Sequence, residues 1–191
     1  MRKSITASKA AQTKKPDEGL LIQKAQKNPV FFQEIYTAWV APVFQYIYAR
    51  TGSRQDAEDL TSQIFLKAYQ ALPRYHHRGH FSAWLFTIAR NQVNEFFRKK
   101  MAVEISLDLA DPAAPNPDML NTVIHTDEIE RLKQLIQGLP DEEQELVHLR
   151  YVAELKFGDI ALVLNRKEAA VKKTLYRLQA RLQGLLEAYH E

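Results

Sequence analysis

The 191-residue chain contains no cysteine. That absence excludes a disulfide scaffold, a thiolate zinc site and a cysteine nucleophile. Glycine is scarce, with six residues that all stand singly. Neither common glycine loop that cradles a phosphate is therefore present. No apolar run approaches the roughly 20 residues needed to span a bilayer, so no membrane insertion is expected. The stretch from Met1 to Pro16 carries basic residues but no apolar h-region, so no secretory leader is expected and the cytoplasm is the expected location. Nucleophile elbow, Walker and zincin motifs are all missing. What remains is 46% hydrophobic and 26% charged, which suits one large domain or two small ones.

The net charge of +3 is a poor guide, because the charges are segregated. Residues 67–100 hold seven basic side chains against one acidic, a net of +6. Residues 101–149 hold two basic and eleven acidic, a net of −9, and residues 150–183 return to +5. One basic block is most simply a solvated face. Two basic blocks in separate helical units suggest two contacts on one polyanion.

The periodicity is helical throughout, and no segment alternates as a strand. Phe31, Phe32, Ile35, Trp39, Val43, Tyr46 and Ile47 form one apolar stripe. Pro42 inside it is expected to kink or break the helix. Thr51-Gly52 reads as a stop and Ser53 as the next N-cap. Ala57, Leu60, Ile64, Phe65, Ala68 and Leu72 form a second stripe, ended by Pro73. A basic, aromatic loop over 74–80 precedes a third helix, marked by Phe81, Trp84, Leu85, Ile88, Val93, Phe96 and Phe97 and closing at Arg98-Lys99-Lys100. Pro112, Pro115 and Pro117, among acids, mark an extended acidic linker. Beyond it, Ile129, Leu132, Leu135 and Ile136 begin a C-terminal unit. Asp141 with Gln144 resembles a capping box, with Asp141 as the cap. Val171, Leu175, Leu178, Leu182 and Leu185 keep a rhythm that faces a core. The expected fold class is all-α: two small helical domains joined by a flexible acidic linker, the second containing a helix-turn-helix. The expected boundaries are a disordered basic extension over 1–18, a first domain over 19–100, the linker over 101–126 and a second domain over 127–191.

Two constellations point to function. A short helix, a three-residue turn and a longer helix over 157–181 have helix-turn-helix spacing. With Val171, Leu175 and Leu178 inward, Arg166, Lys167, Lys172, Lys173, Tyr176 and Arg177 face outward. That donor-rich face suits base edges and phosphates of a duplex; a solvated face of a three-helix bundle is the plain alternative. In the loop and helix over 74–100 basic and aromatic residues interleave instead: Arg74, Tyr75, His76, His77, Arg78 and His80, then Arg90, Asn91, Asn94 and Arg98. Aromatic faces beside cations are how proteins hold unpaired bases, and the cost of extruding a base must be offset by a pocket and phosphate contacts. His76, His77 and His80 lack cysteine or paired carboxylates nearby, so no metal is expected. Asp56, Glu58 and Asp59 sit in a first helical turn, where acids suit the helix dipole. No cofactor and no enzymatic activity are expected.

Taken together, Asp56-Ala-Glu-Asp-Leu-Thr-Ser-Gln-Ile-Phe65 and Phe81-Ser-Ala-Trp-Leu-Phe-Thr-Ile-Ala-Arg-Asn91 resemble region two of bacterial RNA polymerase sigma factors of the extracytoplasmic-function (ECF) type. Leu139-Pro140, Leu149-Arg150-Tyr151 and the helix-turn-helix resemble region four of the same group. The resemblance covers about 28–100 and 128–187, in order. It implies a partner, core RNA polymerase, and a second, promoter DNA, and it implies help in melting that DNA. By the same resemblance Asp56, Asp59, Leu60, Ser62, Gln63 and Phe65 meet the polymerase clamp. Tyr75, His76, His77, Arg78, His80, Arg90, Asn91, Asn94 and Arg98 serve the minus-ten element. Arg166, Lys167, Lys172, Lys173, Tyr176 and Arg177 serve the minus-thirty-five element. An anti-sigma factor is a further partner of this group. The acidic linker either mimics an RNA phosphate chain or is an unbound polar spacer. Ser62-Gln63 stands where Gln-Glu is frequent, and Ala170 to Thr174 replaces a frequent Thr-Val-Lys-Ser-Arg run, so no promoter sequence transfers. The alternative is a helix-turn-helix regulator that binds duplex DNA without being a polymerase subunit.

Overall fold

A computed structural model of the chain describes residues 18–106 and 127–187. The expected disordered extension and most of the expected flexible linker lie outside the described residues. Among the described residues there are eight α-helices and no strand, as the periodicity predicts. The N-terminal unit holds α1 (Glu18–Lys27), α2 (Phe32–Thr51), α3 (Arg54–Ala71) and α4 (Phe81–Ser106). The C-terminal unit holds α5 (Asp127–Gln137), α6 (Asp141–Val147), α7 (Phe157–Leu164) and α8 (Glu168–Glu187), with a π turn over His148–Val152 prolonging α6. No helix among the described residues is long and apolar enough to cross a membrane.

Local chemistry sets several boundaries as predicted. Gly52 takes the left-handed conformation (φ 66°) after α2, and its N–H bonds the Tyr48 carbonyl. Ser53 then caps α3, accepting from the Asp56 N–H through its hydroxyl at 3.3 Å. Other boundaries differ. Pro42 lies inside α2 without ending it. It removes one backbone donor, but buried Ile35, Val43, Tyr46 and Ile47 on both sides of it hold the helix to the core. The fourth helix continues past Lys100 to Ser106. Asp141 is the first residue of α6, not its cap; Pro140 takes the cap position. The Gln144 amide does not reach back to that cap, because it donates instead to the carbonyls of Gln137 and Leu139 at the end of α5.

The two units share one apolar core. Ile22, Tyr46, Ile64 and Phe86 from the N-terminal unit join Leu146, Leu149, Ile160 and Val171 from the C-terminal one. The closest seams run between α4 and α7 and between α2 and the π turn. A small satellite of Leu139, Val147 and Leu178 lies under α5 and α8. Between those two helices a groove of about 430 Å³ stays open, lined by Leu132, Ile136, Leu182 and Leu186. That opening explains a departure from the heptad-like rhythm: Leu182 is only half-buried and Leu185 is 47% exposed rather than in the core.

Candidate nucleic-acid and polymerase interfaces

The strip assigned to the polymerase lies on α3. The helix buries Ala57, Leu60, Ile64, Phe65 and Ala68 and leaves the opposite side in solvent. Asp59, Ser62 and Gln63 are exposed and Asp56 is half-exposed. Leu60 and Phe65 differ from them in exposure: both are 4% exposed. Phe65 packs edge-on to Tyr36 and Phe32 at 4.8 and 6.5 Å. Their 3.6-residue phase turns them to the core, beneath the exposed polar residues. Gln63 is pinned toward α4, accepting from the Gln92 amide at 3.3 Å. Leu66, one helical turn after Gln63, is 58% exposed. It is an apolar residue standing outside the core stripe of α3.

The loop between α3 and α4 is held from behind. A 3-10 turn over Leu72–Arg74 leads into Tyr75, whose N–H bonds the Leu72 carbonyl at 3.0 Å. The Gln26 amide of α1 donates to the carbonyls of Leu72 and Tyr75 at 2.9 and 2.6 Å. Gly79 turns the chain with φ 79°, a conformation costly for residues with a Cβ. Tyr75 is half-buried, its ring 4.6 Å from Trp84 and 5.6 Å from Phe81. Burial raises its phenol above the usual range, with Glu18 adding to the effect, so the hydroxyl stays a neutral donor. His76, His77 and Arg78 are exposed beside this aromatic cluster. Asn91, Asn94 and Arg98 follow on one exposed strip of α4.

Two residues of this group are engaged differently. His80 Nδ1 donates to the Asp159 carboxylate of α7 at 2.8 Å. Arg90 is half-buried, with Nε 3.8 Å from Glu145 of α6. His76, His77 and His80 do not converge: no cluster of three or more His, Cys, Asp or Glu suited to a metal occurs among the described residues.

The helix-turn-helix is built as its spacing predicts. Asn165 ends α7 in the left-handed region (φ 51°, ψ 48°), a conformation that Asn tolerates better than most residues. Val171, Leu175 and Leu178 bury one side of α8. Arg166, Lys167, Lys173, Tyr176 and Arg177 are exposed on the other. Lys172 is partly committed: its ammonium donates to Glu168 at 2.6 Å and lies 5.6 Å above the Phe157 ring. The Glu168 hydrogen bond and charge raise its pKa, so it is charged at any physiological pH.

These two cationic surfaces, on separate helical units of one chain, stand within the segments that comparison with known proteins matches. The family model described as Sigma-70 region 2 matches residues 35–103, and Sigma-70, region 4 matches 129–182. The ECF RNA polymerase sigma factor BldN of Streptomyces coelicolor is 31% identical over 170 residues, covering 87% of this chain and 64% of its own length. The ECF RNA polymerase sigma factor SigM of Bacillus subtilis is 33% identical over 154 residues, covering 80% of this chain and 93% of its own. The sigma factor RpoE of Bartonella quintana, solved in complex with the anti-sigma factor NepR, shares the fold with a TM-score of 0.64 at 21% identity, covering 82% of this chain and 96% of that one. The duplex-only regulator is left without support, and the chain belongs to the ECF RNA polymerase sigma factors.

Proposed function

We propose that this chain binds core RNA polymerase, directs it to particular promoters and helps open them. The polymerase performs the chemistry, and this chain supplies binding free energy. The observation that carries the reading is the pairing of two different readers. The exposed face of α8 has the spacing and donors for a duplex. The loop over 75–80 and the strip on α4 combine cations with a buttressed aromatic cluster, which suits unpaired bases. A plain duplex binder has no use for the second reader. Asp56, Asp59, Leu60, Ser62, Gln63 and Phe65 on α3 are proposed to form the polymerase clamp-binding segment, the polar members exposed and Leu60 and Phe65 packed beneath them. The minus-ten group is Tyr75, His76, His77, Arg78, His80, Arg90, Asn91, Asn94 and Arg98. The minus-thirty-five group is Arg166, Lys167, Lys172, Lys173, Tyr176 and Arg177. The cytoplasm is the proposed location. RpoE was solved with an anti-sigma factor, and a partner of that class is proposed here as well. The proposed units are 19–100 and 127–191, joined through 101–126. Run-off transcription with core polymerase over a promoter library tests the reading and returns the recognised sequence. No transcript above core alone, together with no capture of core polymerase in a pull-down, overturns it.

A further inference from the structure

The outer face of the helix-turn-helix is basic with one exception. Glu168 is the single acid between Asp159 and Glu187, and Arg166, Lys167, Lys172 and Lys173 surround it in sequence. It is the first residue of α8, and 49% of its side chain is exposed. In a helix-turn-helix the N-terminal residues of the second helix meet base edges. A carboxylate carried there approaches a duplex that bears one negative charge per about 1.7 Å. An acid in a first turn suits the helix dipole, and a lysine one turn later adds a little. Both effects are small, and both are available on a solvated face where no phosphate opposes them.

The carboxylate is held between the two helices of the motif. Its Oε1 accepts from the Lys172 ammonium at 2.6 Å. Its Oε2 lies toward the first turn of α7, 3.5 Å from where a Cβ on Gly158 would stand. Lys172 in turn sits 5.6 Å from the centre of the Phe157 ring, and the Arg150 guanidinium 4.7 Å from the same ring. Arg150 donates to the Leu155 carbonyl at 2.8 Å, which fixes the far end of this chain of contacts. A group aimed in this way has less freedom to lose on contact. In the major groove amino donors are offered by cytosine N4 and adenine N6. Beside adenine N6 lies the N7 acceptor, which repels a carboxylate, and guanine and thymine present acceptors alone. Cytosine is therefore the base that Glu168 suits. The guanine paired with it presents O6 and N7, acceptors for the Lys172 ammonium.

We propose that Glu168 is a specificity-determining residue of the helix-turn-helix: held by Lys172, its carboxylate accepts from the N4 amino group of one cytosine in the major groove of the minus-thirty-five element. The proposal rests on the reading of α8 as the duplex reader given above. The basic residues of that face attract any duplex through its phosphates. Glu168 selects by exclusion as well as by attraction. At a wrong base the carboxylate meets an acceptor or the thymine methyl group, and its repulsion from the phosphates is left uncompensated.

The test uses the full chain assembled with core RNA polymerase, in run-off transcription over barcoded duplex promoters randomised in the upstream element. The wild type is expected to require cytosine at one position, where each other base lowers the yield about tenfold. Glu168→Ala is expected to flatten the preference at that position to within about twofold and to leave the other positions as they were. Glu168→Gln is expected to move it from cytosine toward adenine, because an amide both donates and accepts. Glu187→Ala, which removes an exposed acid at the far end of α8, is expected to keep the cytosine requirement. Absence of a cytosine requirement in the wild type overturns the proposal. So does an unchanged profile in Glu168→Ala. A change by the same factor over all sequences also overturns it, since that is the mark of an acid acting only through charge or helix stability. If Glu168→Ala loses its helical signal, Glu168→Gln decides, since it keeps the size of the side chain, and a cytosine requirement retained by it overturns the proposal. Failure of the sigma assignment reads out separately, as no transcript above core alone with the wild-type chain.

Discussion

Acid is expected to destabilise the fold through His148. It lies on the π turn that packs against α2 and is 8% exposed. Its Nδ1 is buried without a hydrogen-bond partner. Burial, aided by the nearby Arg50 charge, lowers its pKa from 6.5 to about 4. Above pH 6.5 the ring is neutral in both folded and unfolded chains and has no effect on the pH dependence. Between 6.5 and about 4 the unfolded chain takes up a proton that the folded one refuses, so stability falls with falling pH and levels off below. A difference of about 2.5 pKa units at about 1.4 kcal/mol each amounts to about 3 kcal/mol. The perturbation is His148→Leu, which removes both the titration and the unpartnered nitrogen. Urea denaturation followed by far-ultraviolet circular dichroism, over a pH series from neutral to about 4, gives the stability difference between variant and wild type. That difference is expected to move by about 3 kcal/mol in favour of the variant as the pH falls. Other groups titrate in this range, but they act on both proteins and drop out of the comparison. A difference that stays flat to within about 1 kcal/mol refutes the reasoning.

Three further outcomes are expected. Tyr75→Ala should impair promoter opening, followed by permanganate reactivity, more than initial duplex binding; because the ring packs on Trp84 and Phe81, Tyr75→Phe is needed beside it and should keep thermal stability, and equal losses in both assays by the alanine variant count against base capture. Lys173→Ala and Arg177→Ala should each weaken duplex binding and lower the salt slope by about 1, whereas an unchanged slope in both marks α8's outer face as merely solvated. Asn165→Val should cost about 1–2 kcal/mol in a urea titration, since a β-branched residue is strained at a left-handed position, while Asn165→Gly should be tolerated; equal stability of the two variants removes that explanation of the turn.

The candidate site was legible where one helix or one turn decides it. The outward set on α8 follows from placing Val171, Leu175 and Leu178 inward, and the fold keeps that phase. The loop over 75–80 was legible as basic and aromatic, but the support given by Gln26 was not, because its bonds reach 46 and 49 residues along the chain. The exposure of the set on α3 was only partly legible. Its polar members face out, whereas Leu60 and Phe65 belong to the stripe that had already been read as core. Asp141 was misread as a cap because the three-residue spacing to Gln144 fits the motif, yet the Gln144 amide has better partners at the end of α5.

By itself the sequence determined the class of fold, the caps at Ser53 and Asn165, and the segregation of charge, because each depends on neighbours within a turn or two of helix. Only the tertiary structure decided where Glu145 and Asp159 lie and what they pair with. By composition Glu145 is one of eleven acids in a block of net −9, with nothing to distinguish it from its solvated neighbours. Folding buries it against Tyr46, 99 residues earlier, and against Arg50 and Arg90. Burial and pairing are properties of partners brought together across the chain. A local pattern carries the chemistry of each basic stretch, and only the packing of α4 on α7 and of α2 on the π turn brings Arg90, Asn94 and Arg166 to one cleft.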